Sequence, residues 1–523
     1  RGPVWNEGRW GEGYSYPTWM LGAAVLGWLG MDLVSATRLL GLLCAVLAMR
    51  LVYRWAGRGW GGFGGALLIA AAPPIAVWVM GGLEANLIAL CLAGALTCAL
   101  PRPGDPPQQT RPLAAGLWLA LLIWSRPDGP LLAGLVGLAQ WLVLGKDGWR
   151  PMLRTAAPAA VATVVLLAMR LWLYGEWVPN TAHIKGRVDM GSISQGWNLY
   201  VAPTLRWLAG PALLLAVASV RERRLGLGLL LVTVVWLLYL VAVGGDLFPG
   251  RRHTMPLVVC GALAGSALVR PGSRWPLAAL GLAVASLGVA SLGDPAVHRA
   301  RTEQWEHLAV ELGSTLRHAF GEAREGEGAL LAASPAGALP FESRLPTIDM
   351  LGLSDPHIAR QDPTPGAFYA HNLADMDYVL DQSPDLIAFG GPWVYLDSGF
   401  APWLQVRDRE SFFGEHDILP VFSALGFDKD APWQQVPGTH KPQFLWVRRR
   451  SLEEPGGLGI RIEADGSITI PAWLFATMPG APWFGEGTAL PRGDALSAVR
   501  KAAKRGNKDA LLVAAEGTGP LGL

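Results

Sequence analysis

The sequence predicts a polytopic α-helical membrane domain followed by a C-terminal α/β domain, and three observations predict it. Of the 523 residues, 51% are hydrophobic and only 16% are charged. A soluble globular chain carries about 25% charged residues. The long apolar runs lie in roughly the first 290 residues, and the remainder reads as ordinary soluble protein. The cations of the first part alternate from loop to loop, as orientation in a membrane requires.

The apolar runs come first. A span needs roughly 20 mostly apolar residues. Stretches 36–55, 62–80, 83–100, 112–126, 129–145, 155–174, 204–220, 225–243, 254–270 and 275–292 approach this length, about ten visible spans. Residues 17–30 are apolar but short and carry Trp19 and Trp28, which suits a helix lying in the interface. The chain opens at Arg1 in Gly-rich, loop-like sequence, so a first span is expected upstream.

Sidedness follows from the loops. If the start lies outside, every second connection should be basic. The expected inside loops hold Arg54 and Arg58, Arg102 and Arg111, Lys146, Arg150 and Arg154, Arg221, Arg223 and Arg224, and Arg270 and Arg274. The tenth span then exits outward, and everything after Asp294 is expected outside. The expected division is a membrane domain over 1–292, an extracytoplasmic α/β domain over 293–450, and a small appended tail over 451–523.

In the second part, residues 299–320 carry Trp305, Leu308, Leu312 and Leu316 at helical spacing. Apolar runs at 329–333, 347–352 and 385–389 alternate with helical sequence, which predicts a small, largely parallel sheet. Residues 444–447 are a further strand candidate. In the tail, Asp465–Gly466 between alternating isoleucines predicts a β-hairpin.

Several chemistries drop out. A net charge of +2 gives no basic field for nucleic acid. Cys44, Cys91, Cys98 and Cys260 all lie in apolar runs without metal-ligand spacing. No metal site is expected from these residues, although a divalent cation stays open as a cofactor.

Three expected outside loops nevertheless present cations: Arg126 in SRPDG, Lys185 and Arg187 after PNTAHI, and Arg251 and Arg252 beside Asp246 in GGDLFPGRRH. They oppose the topological trend, and charges at membrane depth mark substrate paths. Each also has an ordinary reading, as an interfacial anchor or as half of a local pair, Arg126 with Asp128 or Arg251 with Asp246. Together they point to an anionic ligand. Carboxylates accompany them: Glu7 and Glu12 in the first loop, Glu84 at a helix start, Asp128 and Asp246. A group transfer from a phosphate needs a base and fixed cations on the leaving oxygens. Against this stands the dipole-favoured position of Glu84 and solvation of the two loop glutamates. Asn180 opens a Pro-Asn-Thr turn that brings His183 and Lys185 near the surface. In the α/β part, Asp349, Asp355 and His357 cluster in TIDMLGLSDPHIAR, and His371 follows. An Asp at a strand end before a Gly-containing loop is where α/β sheets place ligands.

These motifs, GPVWNEGRWGEGYSYPTW, GGLEANLIAL, SRPDGPLLAGL, RLWLYGEWVPNTAHIK, GGDLFPGRRHTMP and TIDMLGLSDPHIARQ, follow one another in order. In that order they resemble the terminal β-(1→2)-arabinofuranosyltransferases of mycobacterial cell-wall arabinan, and more widely the GT-C glycosyltransferases. The resemblance runs from about residue 2 to about residue 395, with long unmatched stretches. It implies a GT-C-like fold in a bacterial plasma membrane, a polyprenyl-phosphate sugar donor and a cell-envelope glycan acceptor. It implies donor-phosphate contacts from Lys185 and Arg251, with Arg252 or Arg126 assisting. Glu12, Glu84, Asp128, Asn180, Asp246, Asp349, Asp355, His357 and His371 are then candidates for lining the cavity or binding acceptor. The family's acidic motif, which would supply the base, is expected upstream of Arg1. Ala370 stands where glycine is expected, and PNT recurs with other sugars, so arabinofuranose is one candidate donor sugar.

Two other classes compete. A lipid-carrier transporter should show paired broken spans in matching halves, and the sequence shows one break, at Pro73–Pro74. A non-catalytic scaffold would bind cell-wall glycan through the α/β domain and consume no donor.

Overall fold

The computed structural model describes residues 11–102, 109–186, 188–245, 252–270, 274–293, 309–310, 313, 316–317, 329–334, 336–362 and 373–388, and beyond these the strands alone. The chain forms two compact units. One is Tyr14–Arg301, and the other joins Arg1–Gly13 to Thr302–Leu523. The opening segment thus belongs with the C-terminal half, where a boundary at 292 alone was expected.

The helical unit begins with α1 (Pro17–Trp28), α2 (Leu33–Trp55), α3 (Trp60–Ala71), α4 (Pro73–Met80) and α5 (Ala85–Ala99). There follow α6 (Pro112–Ile123), α7 (Gly129–Leu144), α8 (Trp149–Tyr174), α9 (Asn180–Lys185), α10 (Met190–Gln195) and α11 (Ala202–Trp207). It closes with α12 (Ala209–Arg221), α13 (Arg223–Ala242), α14 (Met255–Leu268) and α15 (Arg274–Gly293). All ten apolar stretches therefore contain helix. Prolines stand in the first turn of α1, α6, α7 and α14, where a missing N–H has no intrahelical partner to lose.

This unit is apolar outside as well as inside. On α2, Leu39, Leu42, Leu43, Val46 and Leu47 are exposed, while Gly41, Cys44, Ala45 and Ala48 are buried. Water would oppose that arrangement, whereas lipid accepts the leucines and lets small residues bring helices close. α14, by contrast, is buried on all sides and forms the centre, packed on α3, α5, α12 and α13. The chain is a polytopic helical membrane protein. Among the described residues, four helical stretches are long and apolar enough to cross a membrane, or six if each bent pair is one span. α5, α6 and α14 are shorter apolar helices.

The two bends correct the sequence reading. Pro73–Pro74 breaks one span into α3 and α4 at 54°, as its residues require. A second bent pair, Met190–Trp207 with Ala209–Arg221, turns by 75°. The break at Pro73–Pro74 is not alone. The sequence at the second bend carries no proline pair, so it escaped notice.

The second unit holds a five-stranded sheet of order β2-β1-β3-β7-β4. Its strands are β1 (Leu331–Ala333), β2 (Thr347–Asp349), β3 (Leu386–Ala388), β4 (His416–Phe422) and β7 (Pro442–Arg448). β1 pairs parallel with β2 and β3, but β7 joins β3 antiparallel and β4 joins β7 antiparallel. The sheet is therefore mixed, where a largely parallel one was expected. The helices α16 (Ala338–Ser343) and α17 (Met376–Asp381) lie in the β1-to-β2 and β2-to-β3 stretches. β5 (Leu425–Phe427) pairs with β6 (Gln435–Pro437). In the tail, β8 (Arg461–Ile462), β9 (Ser467–Thr469) and β10 (Ala489–Pro491) form a three-stranded antiparallel sheet. Ile462 faces Ile468 across the expected hairpin. Most of the stretch 299–320 lies outside the described residues.

Candidate active site

The charged centre of the helical unit is built from two helix starts. Glu84 is the N-cap residue of α5 and Asp128 that of α7, yet neither side chain caps its helix. Both turn to Arg126. The guanidinium donates from Nε and Nη2 to the two oxygens of Asp128, at 2.6 Å each. Its Nη1 donates to Oε1 of Glu84 at 3.1 Å. Side-chain exposure is 11% for Arg126, 0% for Glu84 and 9% for Asp128. Tyr239, on α13, donates to Oδ2 of Asp128 at 3.4 Å.

The bidentate fork needs a planar guanidinium, which lysine cannot supply. Both carboxylates also gain from the helix N-termini they occupy. The local pairing of Arg126 with Asp128 is thus the geometry found, and Glu84 joins it. Three groups carry one formal positive and two formal negative charges, so an anion arriving there needs cations from elsewhere. The loop that delivers Glu84 turns at Gly82, whose φ is +66°. An added Cβ there would lie 2.6 Å from Oγ1 of Thr37. Trp19 Nε1 fixes the same loop by donating to the Gly82 carbonyl at 2.9 Å.

Elsewhere in the helical unit the described loops carry further polar contacts. Tyr14 and Tyr174 share a hydroxyl–hydroxyl hydrogen bond, and Ser15 shares one with Thr181. Asn180 opens α9 and is buried, and its Nδ2 has no hydrogen-bond partner among the described residues. Lys185 ends α9. Arg252 begins a 3-10 turn running to Thr254. In that turn His253 N donates to the hydroxyl of Tyr200 at 3.0 Å, and Trp236 Nε1 donates to the His253 carbonyl at 2.6 Å. Asp246, Arg251 and His371 lie outside the described residues.

The α/β unit gathers the other candidates. Asp349 ends β2 and is buried. It accepts from Leu351 N at 3.0 Å and from Ser354 N at 2.6 Å. Burial nonetheless pushes its carboxyl up to about 7, and the neighbouring Asp355 adds to the rise. Asp355 accepts from the backbone of His357 and Ile358 and from the Tyr378 hydroxyl. His357 stacks on Tyr378 with ring centroids 3.9 Å apart, and its Nε2 is 2.8 Å from Oδ2 of Asp375. Asp355 and His357 therefore share one network, and Asp349 holds the preceding stretch of the same loop through Leu351 and Ser354. Glu12 is buried in this same unit. Among the described residues no group of three or more His, Cys, Asp or Glu could hold a metal ion.

Sequence reasoning missed Tyr239, Tyr200, Asp375 and Tyr378. Tyr239 sits within an apolar run and offers no local signal. Asp375 is the N-cap of α17, accepting from Tyr378 N.

Comparisons with known proteins agree with this architecture. Residues 297–435 match the model of a domain of unknown function, DUF8728. The chain is 30% identical over 172 aligned residues to a terminal β-(1→2)-arabinofuranosyltransferase of Corynebacterium glutamicum. That match covers 28% of this chain and 24% of that protein, under a quarter of its length. The fold is similar to the crystal structure of ArnT from Cupriavidus metallidurans bound to undecaprenyl phosphate. There the TM-score is 0.52 at 14% identity, over 73% of this chain and 84% of that one. The apo structure of the same protein gives 0.51 at 15% identity, over 84% and 89%. The helical architecture is thus the GT-C fold that ArnT shares.

Proposed function

We propose that the protein is a membrane glycosyltransferase of the GT-C type, moving a sugar from a polyprenyl-phosphate donor to a cell-envelope glycan. The observation that carries this reading is the fold shared with a protein crystallised on undecaprenyl phosphate. The partial match to an arabinofuranosyltransferase supports the sugar transfer, with arabinofuranose as first candidate. On this reading the α/β unit lies outside the cytoplasm and contributes to acceptor binding through Asp349, Asp355 and His357. Glu12, Asn180, Asp246 and His371 complete the cavity and acceptor candidates.

The cations divide by role. Arg126 is held by Glu84 and Asp128, so it shapes the cavity wall. Contact with the donor phosphate falls to Lys185, Arg251 and Arg252. Negative charge grows on the departing phosphate, and fixed cations there lower the barrier.

The test is transfer in membranes containing the protein, with radiolabelled polyprenyl-phosphate sugars and an envelope glycan acceptor. Label should appear on the glycan, and Arg251→Ala should reduce transfer on the order of 10²–10³-fold in a folded protein. No transfer from any donor would defeat the reading. Full activity in the folded Arg251 variant would defeat that residue's role.

A further inference from the structure

Gly13 and Ser354 are far apart in sequence and in close contact within the α/β unit. A Cβ built on Gly13 would lie 2.2 Å from Oγ of Ser354 and 3.0 Å from its Cβ. No side chain fits in that space without displacing the serine. Ser354 cannot retreat freely, because it is buried and its N–H is held by Asp349 at 2.6 Å. Asp349 is itself anchored at the end of β2, which pairs with β1 along Thr347–Asp349. A rigid strand end therefore shapes the turn, and the turn seats Gly13. Gly11 and Glu12, just before it, are buried as well. On the other side of Gly13 the chain enters the helical unit, where Tyr14 bonds Tyr174 and Ser15 bonds Thr181.

We infer that Gly13 and Ser354 form a positioning contact, through which the β2 turn of the α/β unit fixes Gly11–Gly13 of the same unit. Neither residue touches reacting atoms. Their task is to hold Gly11 and Glu12 in one place, and a bulkier residue at position 13 displaces them. The consequence for activity rests on the glycosyltransferase reading, whereas the contact itself does not.

Two experiments on the full chain separate these. In thermal unfolding of the detergent-solubilised protein, Gly13→Ala should lower the unfolding temperature, and Ser354→Gly added to it should restore most of the loss, because the atoms that the new Cβ meets are then gone. An unchanged unfolding temperature in Gly13→Ala, or a loss that Ser354→Gly does not repair, overturns the contact, whatever the activity. In the transfer assay, Gly13→Ala should lower kcat roughly 10- to 100-fold, with KM for the lipid donor little changed. Ser354→Gly added to Gly13→Ala should restore most of it, because it removes the atoms the new Cβ would meet. A fully active Gly13→Ala, or a loss that Ser354→Gly does not repair, overturns the positioning role. If the unmodified protein transfers no sugar, the glycosyltransferase reading fails while thermal unfolding still decides the contact.

Discussion

Arg126 and Asp128 stand two residues apart, across Pro127, and face each other through two parallel hydrogen bonds of 2.6 Å. The third donor of the fork reaches Glu84, 42 residues away, so one cation ties the start of α5 to the start of α7. The arrangement is buried, which makes it a structural commitment as well as a feature of the site.

Removing the cation should therefore cost more than removing either anion. Arg126→Ala leaves two carboxylates buried beside each other, a loss of about 3–5 kcal/mol. Arg126→Lys should fail to restore the fork. Glu84→Gln added to Arg126→Ala should recover part of the stability. Detergent-solubilised thermal unfolding of the four proteins measures this, and equal stability of Arg126→Ala and the unmodified protein would refute it.

Tyr239→Phe is the mild counterpart. Its hydrogen bond to Asp128 is long, at 3.4 Å, and Asp128 keeps its bonds to Arg126. The expected loss is at most about 1 kcal/mol. A loss as large as that of Arg126→Ala would mean that the tyrosine holds the cluster together.

Gly82→Ala combines two penalties, a positive φ of +66° and a meeting with Thr37 Oγ1 at 2.6 Å. The backbone term alone is worth roughly 1–2 kcal/mol. Because this loop carries Glu84, transfer should fall with stability. Thr37→Ala should relieve the steric part only. Unchanged stability in Gly82→Ala would show that the loop adapts without strain.

Asp349 predicts a pH dependence of the α/β unit. Its folded pKa, about 7, lies above the ordinary 3.8 because burial disfavours the charged form. The folded state thus holds the proton more tightly than the unfolded one. The stabilisation is complete below about pH 4 and is lost as pH rises through 7, at about 1.4 kcal/mol per unit within that window. Hydrogen-exchange protection of the turn 350–355, taken relative to the intrinsic base-catalysed rate at each pH, should fall between pH 5 and 8. Asp349→Asn, which cannot titrate, should flatten the profile. A pH-independent turn in the unmodified protein would contradict the burial argument.

What the sequence determined by itself is what depends on local composition. Ten apolar stretches became helix because their residues have no other way to satisfy backbone groups in lipid. The three short β-rich runs at 329–333, 347–352 and 385–389 became β1, β2 and β3. The clustering of Asp349, Asp355 and His357 was legible because one loop carries all three.

Tertiary structure decided what depends on distant residues meeting. In SRPDG Arg126 has Asp128 as a legible local partner, and only the approach of α5 to the 125–128 turn shows that Glu84 shares it. The antiparallel addition of β7 and β4 to the sheet was not fixed by any pattern in β3. The placement of Arg1–Gly13 with the C-terminal half was equally invisible. Alternation and hydropathy report the environment of a residue along its own element. They carry no record of which element arrives beside it, and here those arrivals set the charge around Arg126 and, in the other unit, the seat of Gly13.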